Sequence, residues 1–373
     1  MKLALLSFHN AANYGAALQA YALQTYLEKK GYDCEYLNYV NKTRKTAYSM
    51  SDHIINSIKK QKYLTAIKYM VGTPFLEMRK MRFKKFYKKH LKVSRTSYTN
   101  ASEASKAERL YDKFIVGSDQ VWCSENNGGD VAYLLSFIKD SEKKISYSSS
   151  FGKEEIPIEL YDKYVKYLKE IKHLSTREKF GVDIIKKLTG RDATLVMDPV
   201  FLLTAEEWKE LITKKTHEKF LFSYTNTAVQ LPFFLKQTNY PLEGKKIYKL
   251  STQTNPMDFL SNKVKVKYTM SPQSFLQYIH DAEFVVTASF HCLAFSILFH
   301  KPFAVLISET GGNTGRLTAL LDNFGLMDRV ITDKTTLEDL KKPIDWKNVD
   351  KILNEKLEIS RQFLLDALCK CFY

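Results

Sequence analysis

Short apolar runs, each closed by a polar or glycine-bearing turn, alternate along the chain with stretches whose apolar residues return every three or four positions. Lys2–Phe8 (KLALLSF), Cys34–Val40, Lys113–Gly117, Lys144–Ser150, His173–Arg177 and Thr194–Pro199 read as strands. Ala16–Lys30 reads as a helix with Leu18, Tyr21, Ala22 and Tyr26 on one side and Gly31 just past its end. A second series begins at Phe220 (FLFSYT) and continues through Lys245–Ser251, Val264–Met270, Glu283–Phe290 and Pro302–Ser308. Strands alternating with helices predict an α/β fold with mostly parallel sheets and right-handed crossovers.

The polar stretch Lys214–Lys219 separates the two series and sets the expected domains: 1–213, with a basic helical insert over about 42–96, and 214–345. A helical pattern over Val349–Phe372 has no strand after it, so 346–373 is expected to cross back onto the first domain. Ligands of open parallel sheets bind at the carboxyl ends of strands, and two such domains facing each other would share an interdomain cleft.

A chain of 373 residues exceeds what one core usually fills, and 45% hydrophobic with 26% charged residues is ordinary globular usage. The apolar run at the start stops at His9, too early for a signal peptide, and no run approaches the ~20 apolar residues that span a bilayer. The expectation is a cytoplasmic protein. Five cysteines without a CxxC pair or zinc-type histidine spacing are expected to be reduced thiols, with no metal site.

The net charge of +16 asks for an anionic partner. Its densest cluster, Arg79–Lys92, interleaves Phe83, Phe86, Tyr87 and Leu91 with Lys and Arg, as a basic amphipathic helix does. The plainer reading is a solvated cationic face on a helix docked to its own domain. The functional one is contact with anionic lipid headgroups or a lipid-carried phosphorylated substrate, which would place the protein peripherally at the inner face of the membrane. No helix-turn-helix, zinc-finger or RNP-like pattern accompanies the charge, so nucleic acid is not expected as a partner.

Five segments carry candidate chemistry. In Glu283–Phe303 a strand ends and a buried helix begins at Ser289, Phe290 and His291, a turn whose N–H groups suit phosphate or carboxylate and whose imidazole can exchange a proton. Alone, a histidine there is more often structural. In His173–Gly181, Arg177 is expected to open a helix, an unfavourable place for a cation unless it pairs with Glu178 or a ligand anion. Glu309–Leu326 is a glycine-rich loop running through Arg316 into a helix, without the spacing of a P-loop or GxGxxG. Ser7–Gln24 offers Asn10, Asn13 and Tyr14 in a loop suited to hydroxyl-rich ligands. Phe114–Trp122 places Asp119 as a base, a hydroxyl acceptor or an N-cap, and Trp122 as a sugar-stacking platform.

In this order the pieces resemble the polysaccharide pyruvyl transferase family. The chain carries NYGAALQAYAL (Asn13–Leu23), GSDQVW (Gly117–Trp122), YSSSFG (Tyr147–Gly152), the SxRE of Ser175–Glu178, DPxxLL (Asp198–Leu203) and a strand–SFH–helix–KPF unit ending at Phe303. The resemblance implies two Rossmann-like domains in a GT-B-like arrangement, the first on the acceptor side and the second on the phosphoenolpyruvate side. It implies pyruvyl transfer from phosphoenolpyruvate, without a cofactor, to a sugar acceptor that a lipid diphosphate could carry. It matches His291 to the catalytic histidine, and Arg177 and Arg316, with Ser289 beside them, to the donor anion. The alternatives are a GT-B-type glycosyltransferase using a nucleotide sugar and a noncatalytic binding protein.

Overall fold

The computed structural model describes residues 1–47, 50–212, 218–254, 263–307 and 314–369. Of the expected linker at 214–219, residues 214–217 lie outside the described residues, as does the glycine-rich turn at 309–313. Contacts divide the chain into two compact units. One comprises Met1–Tyr48, Tyr87–Leu203 and Leu353–Tyr373; the other comprises Ser49–Phe86 and Thr204–Ile352.

The first unit holds a five-stranded sheet of β1 (Lys2–Leu6), β2 (Asp33–Tyr39), β3 (Val93–Tyr98), β4 (Lys113–Val116) and β5 (Lys144–Ser146), ordered β3-β2-β1-β4-β5. A short pair, β6 (Ser175–Thr176) and β7 (Thr194–Leu195), lies beyond it in sequence. The second unit repeats the winding with β8 (Phe220–Tyr224), β9 (Lys246–Leu250), β10 (Val264–Lys267), β11 (Phe284–Thr287) and β12 (Phe303–Val305), ordered β10-β9-β8-β11-β12. The ladders of both sheets are parallel. Each unit is therefore Rossmann-like, as expected. In each the winding reverses beside the central strand, between β1 and β4 and between β8 and β11, which is where such sheets open a crevice.

Local sequence explains the central elements. Leu3–Leu6 of β1 and Phe284–Thr287 of β11 are buried without interruption, the pattern of parallel strands covered on both faces. The helix Tyr14–Lys29 is also buried on nearly every side. Gly15, Ala16, Ala17, Ala20 and Ala22 let it lie close to its neighbours, and it packs against the turn Pro199–Leu202.

Three expectations about organisation change. The insert predicted as helical over 42–96 ends in a strand: β3 pairs in parallel with β2. Its sequence VSRTSY buries only Ser94 and Tyr98, so the apolar alternation that marks a strand is missing, and pairing with β2 supplies the ladder. The helices within 49–86 group with the second unit, not the first. The division falls after Leu203, where 213 was expected, and inside the C-terminal helix Trp346–Leu368, whose Ser360 Oγ accepts from Met197 N at 2.8 Å.

Cys34, Cys123, Cys292 and Cys369 are unbridged. Among the described residues no helix is long and apolar enough to cross a membrane, and no group of three or more His, Cys, Asp or Glu could hold a metal ion.

Candidate functional site

In the first unit, four of the sequence segments singled out above converge on one buried network. Arg177 donates from NH1 to Asp198 Oδ2 at 2.7 Å and from Nε to Glu178 Oε1 at 2.8 Å, and all three side chains are shielded from solvent. Ser118 Oγ donates to Asp198 Oδ2 at 3.1 Å and lies 3.3 Å from Ser148 Oγ; Ser150 Oγ donates to Glu178 Oε1 at 2.7 Å. Asp198 Oδ1 accepts from Val200 N and so caps the turn on which the helix Tyr14–Lys29 rests.

Gln19 of that helix ties the two loops at the strand reversal together. Its Nε2 donates to Ser7 Oγ at 2.9 Å, its Oε1 accepts from Ser118 N at 3.3 Å, and Ser7 Oγ donates to Ser118 O at 3.1 Å. Gly117 has φ +124°, and a Cβ there would stand 2.1 Å from the Tyr147 carbonyl oxygen, so only glycine fits where the two segments cross. Asp119 and Ser148 hold left-handed φ values of +70° and +55° at the ends of β4 and β5. Non-glycine residues in that region cost free energy and concentrate at functional sites.

This arrangement corrects several expectations. Arg177 does not open a helix: the helix begins at Lys179, and Arg177 sits before it with two carboxylates in reach. Burial pulls its pKa down, but Glu178, Asp198 and Asp119 outweigh that, and the net shift is upward. The guanidinium is thus a permanent internal cation committed to protein carboxylates, not an open seat for a ligand anion. Trp122 is 1% exposed, packs on Phe151 and donates from its indole to Tyr133 O at 2.8 Å, so it offers no face to a sugar. Tyr14 is buried in the first turn of its helix. Asn13 is the N-cap, its Oδ1 accepting from Ala16 N at 3.0 Å. Asn10 is exposed and Asp119 half-buried, which leaves these two of the five expected acceptor contacts open to a ligand. The expected alternative of a pair with Glu178 is the one observed; sequence reading gave no role to Asp198 or Ser118, although the acid of DPxxLL was the available signal.

His9, also missed, lies in the loop between β1 and the helix Tyr14–Lys29. It stacks on Tyr36 at 4.8 Å and donates from Nδ1 to Ser7 O at 3.1 Å. Burial takes its pKa down to about 4, only partly opposed by the bond to Ser7, against 6.5 ordinarily. The unfolded chain therefore binds a proton that the folded chain refuses between those pH values. The stabilisation is complete above pH 6.5 and is lost as pH falls towards 4, ~3 kcal/mol in all. Urea midpoints measured across that range should drop steeply for the native chain and less for His9→Phe, which keeps an aromatic ring and cannot titrate; equal slopes would show that His9 is not responsible.

In the second unit, the end of β11 is braced to the end of β8. Thr287 Oγ1 donates to Tyr224 O at 3.0 Å and accepts from Ser289 N at 3.0 Å, and Asn226 Nδ2 donates to Ala288 O at 3.3 Å. Ser289 is the N-cap of the helix Phe290–Leu298, every residue of which is buried, and His291 lies in its first turn at 9% exposure. The first-turn N–H groups and the aligned peptide dipoles give this end a partial positive charge. Cys292 follows, but burial raises its thiol to about 12, which removes it as a nucleophile near neutral pH. Arg316 is buried in the first described turn of the helix Thr314–Asn323, which packs against Phe290–Leu298. The second unit thus gathers Ser289, His291 and Arg316 on two touching helices, while Arg177 and Asp119 belong to the first.

The fold and these loops define a two-unit Rossmann-like α/β protein in which Asn10, Asp119, Ser289 and His291 follow the strands flanking the reversals, while Arg177 follows β6 and Arg316 follows β12. The chain belongs to the polysaccharide pyruvyl transferase family, whose model matches residues 13–309, and it is accordingly a transferase of polysaccharide synthesis. No curated protein matches it in sequence. Among solved structures, it resembles a UDP-N-acetylglucosamine 2-epimerase at TM-score 0.54 and 10% identity, covering 98% of this chain and 95% of that one. A putative UDP-N-acetylglucosamine 2-epimerase from Listeria monocytogenes gives TM-score 0.51 at 11% identity, covering 97% and 94%. At such identities the likeness shows the fold alone.

Proposed function

We propose that the chain transfers a pyruvyl group from phosphoenolpyruvate to hydroxyls of a sugar, closing a cyclic ketal, in the synthesis of a bacterial-type capsular, exopolysaccharide or cell-wall glycan. The observation that carries this reading is the family match over residues 13–309, which includes the capped turn Ser289–His291. Phosphoenolpyruvate presents a carboxylate and a phosphate on either side of C2. A helix N-terminus and the Arg316 guanidinium are suited to such a pair through charge-assisted hydrogen bonds.

In the proposed sequence a proton adds at the methylene carbon while an acceptor hydroxyl bonds to C2 and gives up its own proton, which the departing phosphate takes. The C2–O bond to phosphate then breaks, and a second hydroxyl closes the ring as it gives up its proton. His291 is assigned the proton transfer, and Ser289 and Arg316 hold the donor. Asn10 and Asp119 are assigned to the acceptor. Arg177 acts indirectly: clamped by Glu178 and Asp198, it holds the loop that bears Asp119.

The test is phosphate release from phosphoenolpyruvate with a panel of free and lipid-linked sugars, with mass analysis of the sugar. Release that requires an acceptor and yields a pyruvylated product is expected. Thermal stabilisation by a nucleoside diphosphate, with none by phosphoenolpyruvate and no phosphate release, would replace this reading with a nucleotide-sugar glycosyltransferase.

A further inference from the structure

The helix Tyr63–His90 is apolar on two sides. One side packs inward: Leu76, Phe83 and Phe86 are buried, and Arg79 NH1 donates to Thr252 O at 3.2 Å. The other side exposes Leu64 (86%), Ile67, Val71, Met78 and Met81 (63%). At 100° per residue these five fall within an arc of roughly 100°. Of the seventeen large apolar side chains exposed among the described residues, nine lie between Ile55 and Met81. Single exposed apolar residues are ordinary, but a contiguous stripe marks an interaction face.

The same arc continues past the stripe as Arg82, Lys85 and Lys89, all exposed. No acid lies on it; the helix's one acid, Glu77, sits to the side and pairs with Lys80 at 2.8 Å. Within Arg79–Lys92, Phe83 and Phe86 are buried on the inward side, as the plainer reading of a helix docked to its own domain requires.

We propose that this arc is a docking surface for an anionic lipid bilayer: the stripe from Leu64 to Met81 enters the boundary between headgroups and acyl chains, and Arg82, Lys85 and Lys89 bind lipid phosphates. An apolar face with cations on the same line matches a surface that is apolar beneath and negative above. A second copy meeting it arc to arc would bring no acid of its own arc to the cationic end.

The proposal is independent of the reaction assigned above, and its test needs no substrate. The full chain is floated with vesicles of phosphatidylcholine alone and of phosphatidylcholine containing phosphatidylglycerol. Capture by the anionic vesicles only, weakened by high salt, is expected. Lys85→Gln with Lys89→Gln should lower affinity roughly 25-fold, from about fivefold per lysine, and Ile67→Asp with Val71→Asp should lower it at least as much. All four positions are solvent-exposed, and the urea midpoint of each variant checks folding. No capture, equal capture by neutral vesicles, or capture that neither pair of substitutions weakens would overturn the proposal. So would stripe-dependent dimerisation in sedimentation velocity.

Discussion

Replacing His291 with alanine is expected to lower turnover with phosphoenolpyruvate by ~10²–10⁴-fold, the usual contribution of a positioned general acid or base. The helix should survive the change, because its cap is the Ser289 hydroxyl on Cys292 N and its remaining residues stay buried. The effect should therefore appear in kcat, with the melting temperature and the stabilisation by phosphoenolpyruvate largely retained. Ser289→Ala is the natural comparison: it removes a cap worth ~1 kcal/mol and one proposed donor contact, so its cost should fall on stability and on KM. A His291→Ala enzyme with unaltered kcat would remove the imidazole from the proton-transfer role, whatever the reaction.

The second large effect lies in the first unit. Asp198→Ala deletes the carboxylate that meets the Arg177 NH1 group, accepts from Ser118 and caps Val200 N. Removing one partner of a buried ion pair typically costs ~3–5 kcal/mol, since the other charge stays desolvated. Glu178 keeps its bond to Arg177 Nε, which places the expected loss at the lower end of that range. Asp198→Asn retains the shape and one acceptor oxygen but not the charge, and should cost nearly as much as alanine if charge is the main contribution, and clearly less if shape and hydrogen bonding are. Trp122 reports the first unit selectively once Trp208 and Trp346 of the second are replaced by phenylalanine. A loss below ~1 kcal/mol in that signal would mean that the network does not hold the unit together.

Much of this architecture was legible beforehand, because parallel strands covered on both faces read as unbroken apolar runs. The runs at Phe114–Val116, Phe220–Ser223 and Phe284–Thr287 read directly as strands, and Leu3–Leu6 does so once its shortness sets a signal peptide aside. β3 was hidden because its residues do not pay for burial; only its neighbour's backbone recruits it. The candidate site was legible as a set of loops but not as a set of roles. Arg177 looked misplaced at a helix start, and its partner Asp198 lies 21 residues away, beyond any local pattern. Trp122 stood beside a polar run, which suggested a sugar platform, yet its side chain turns into the core with Phe151 and Tyr133. Asn13 had been assigned to a ligand when helix geometry already gave it a duty as cap.

The discontinuity of the first unit bears on how the polypeptide matures. Residues 353 onward belong with the sheet that begins at Lys2, yet a ribosome makes them only after all of 204–352, roughly seven to thirty seconds later at ordinary elongation speeds. Until then Met197 lacks Ser360 and the sheet built first remains unfinished, so the unit encoded later can complete itself sooner.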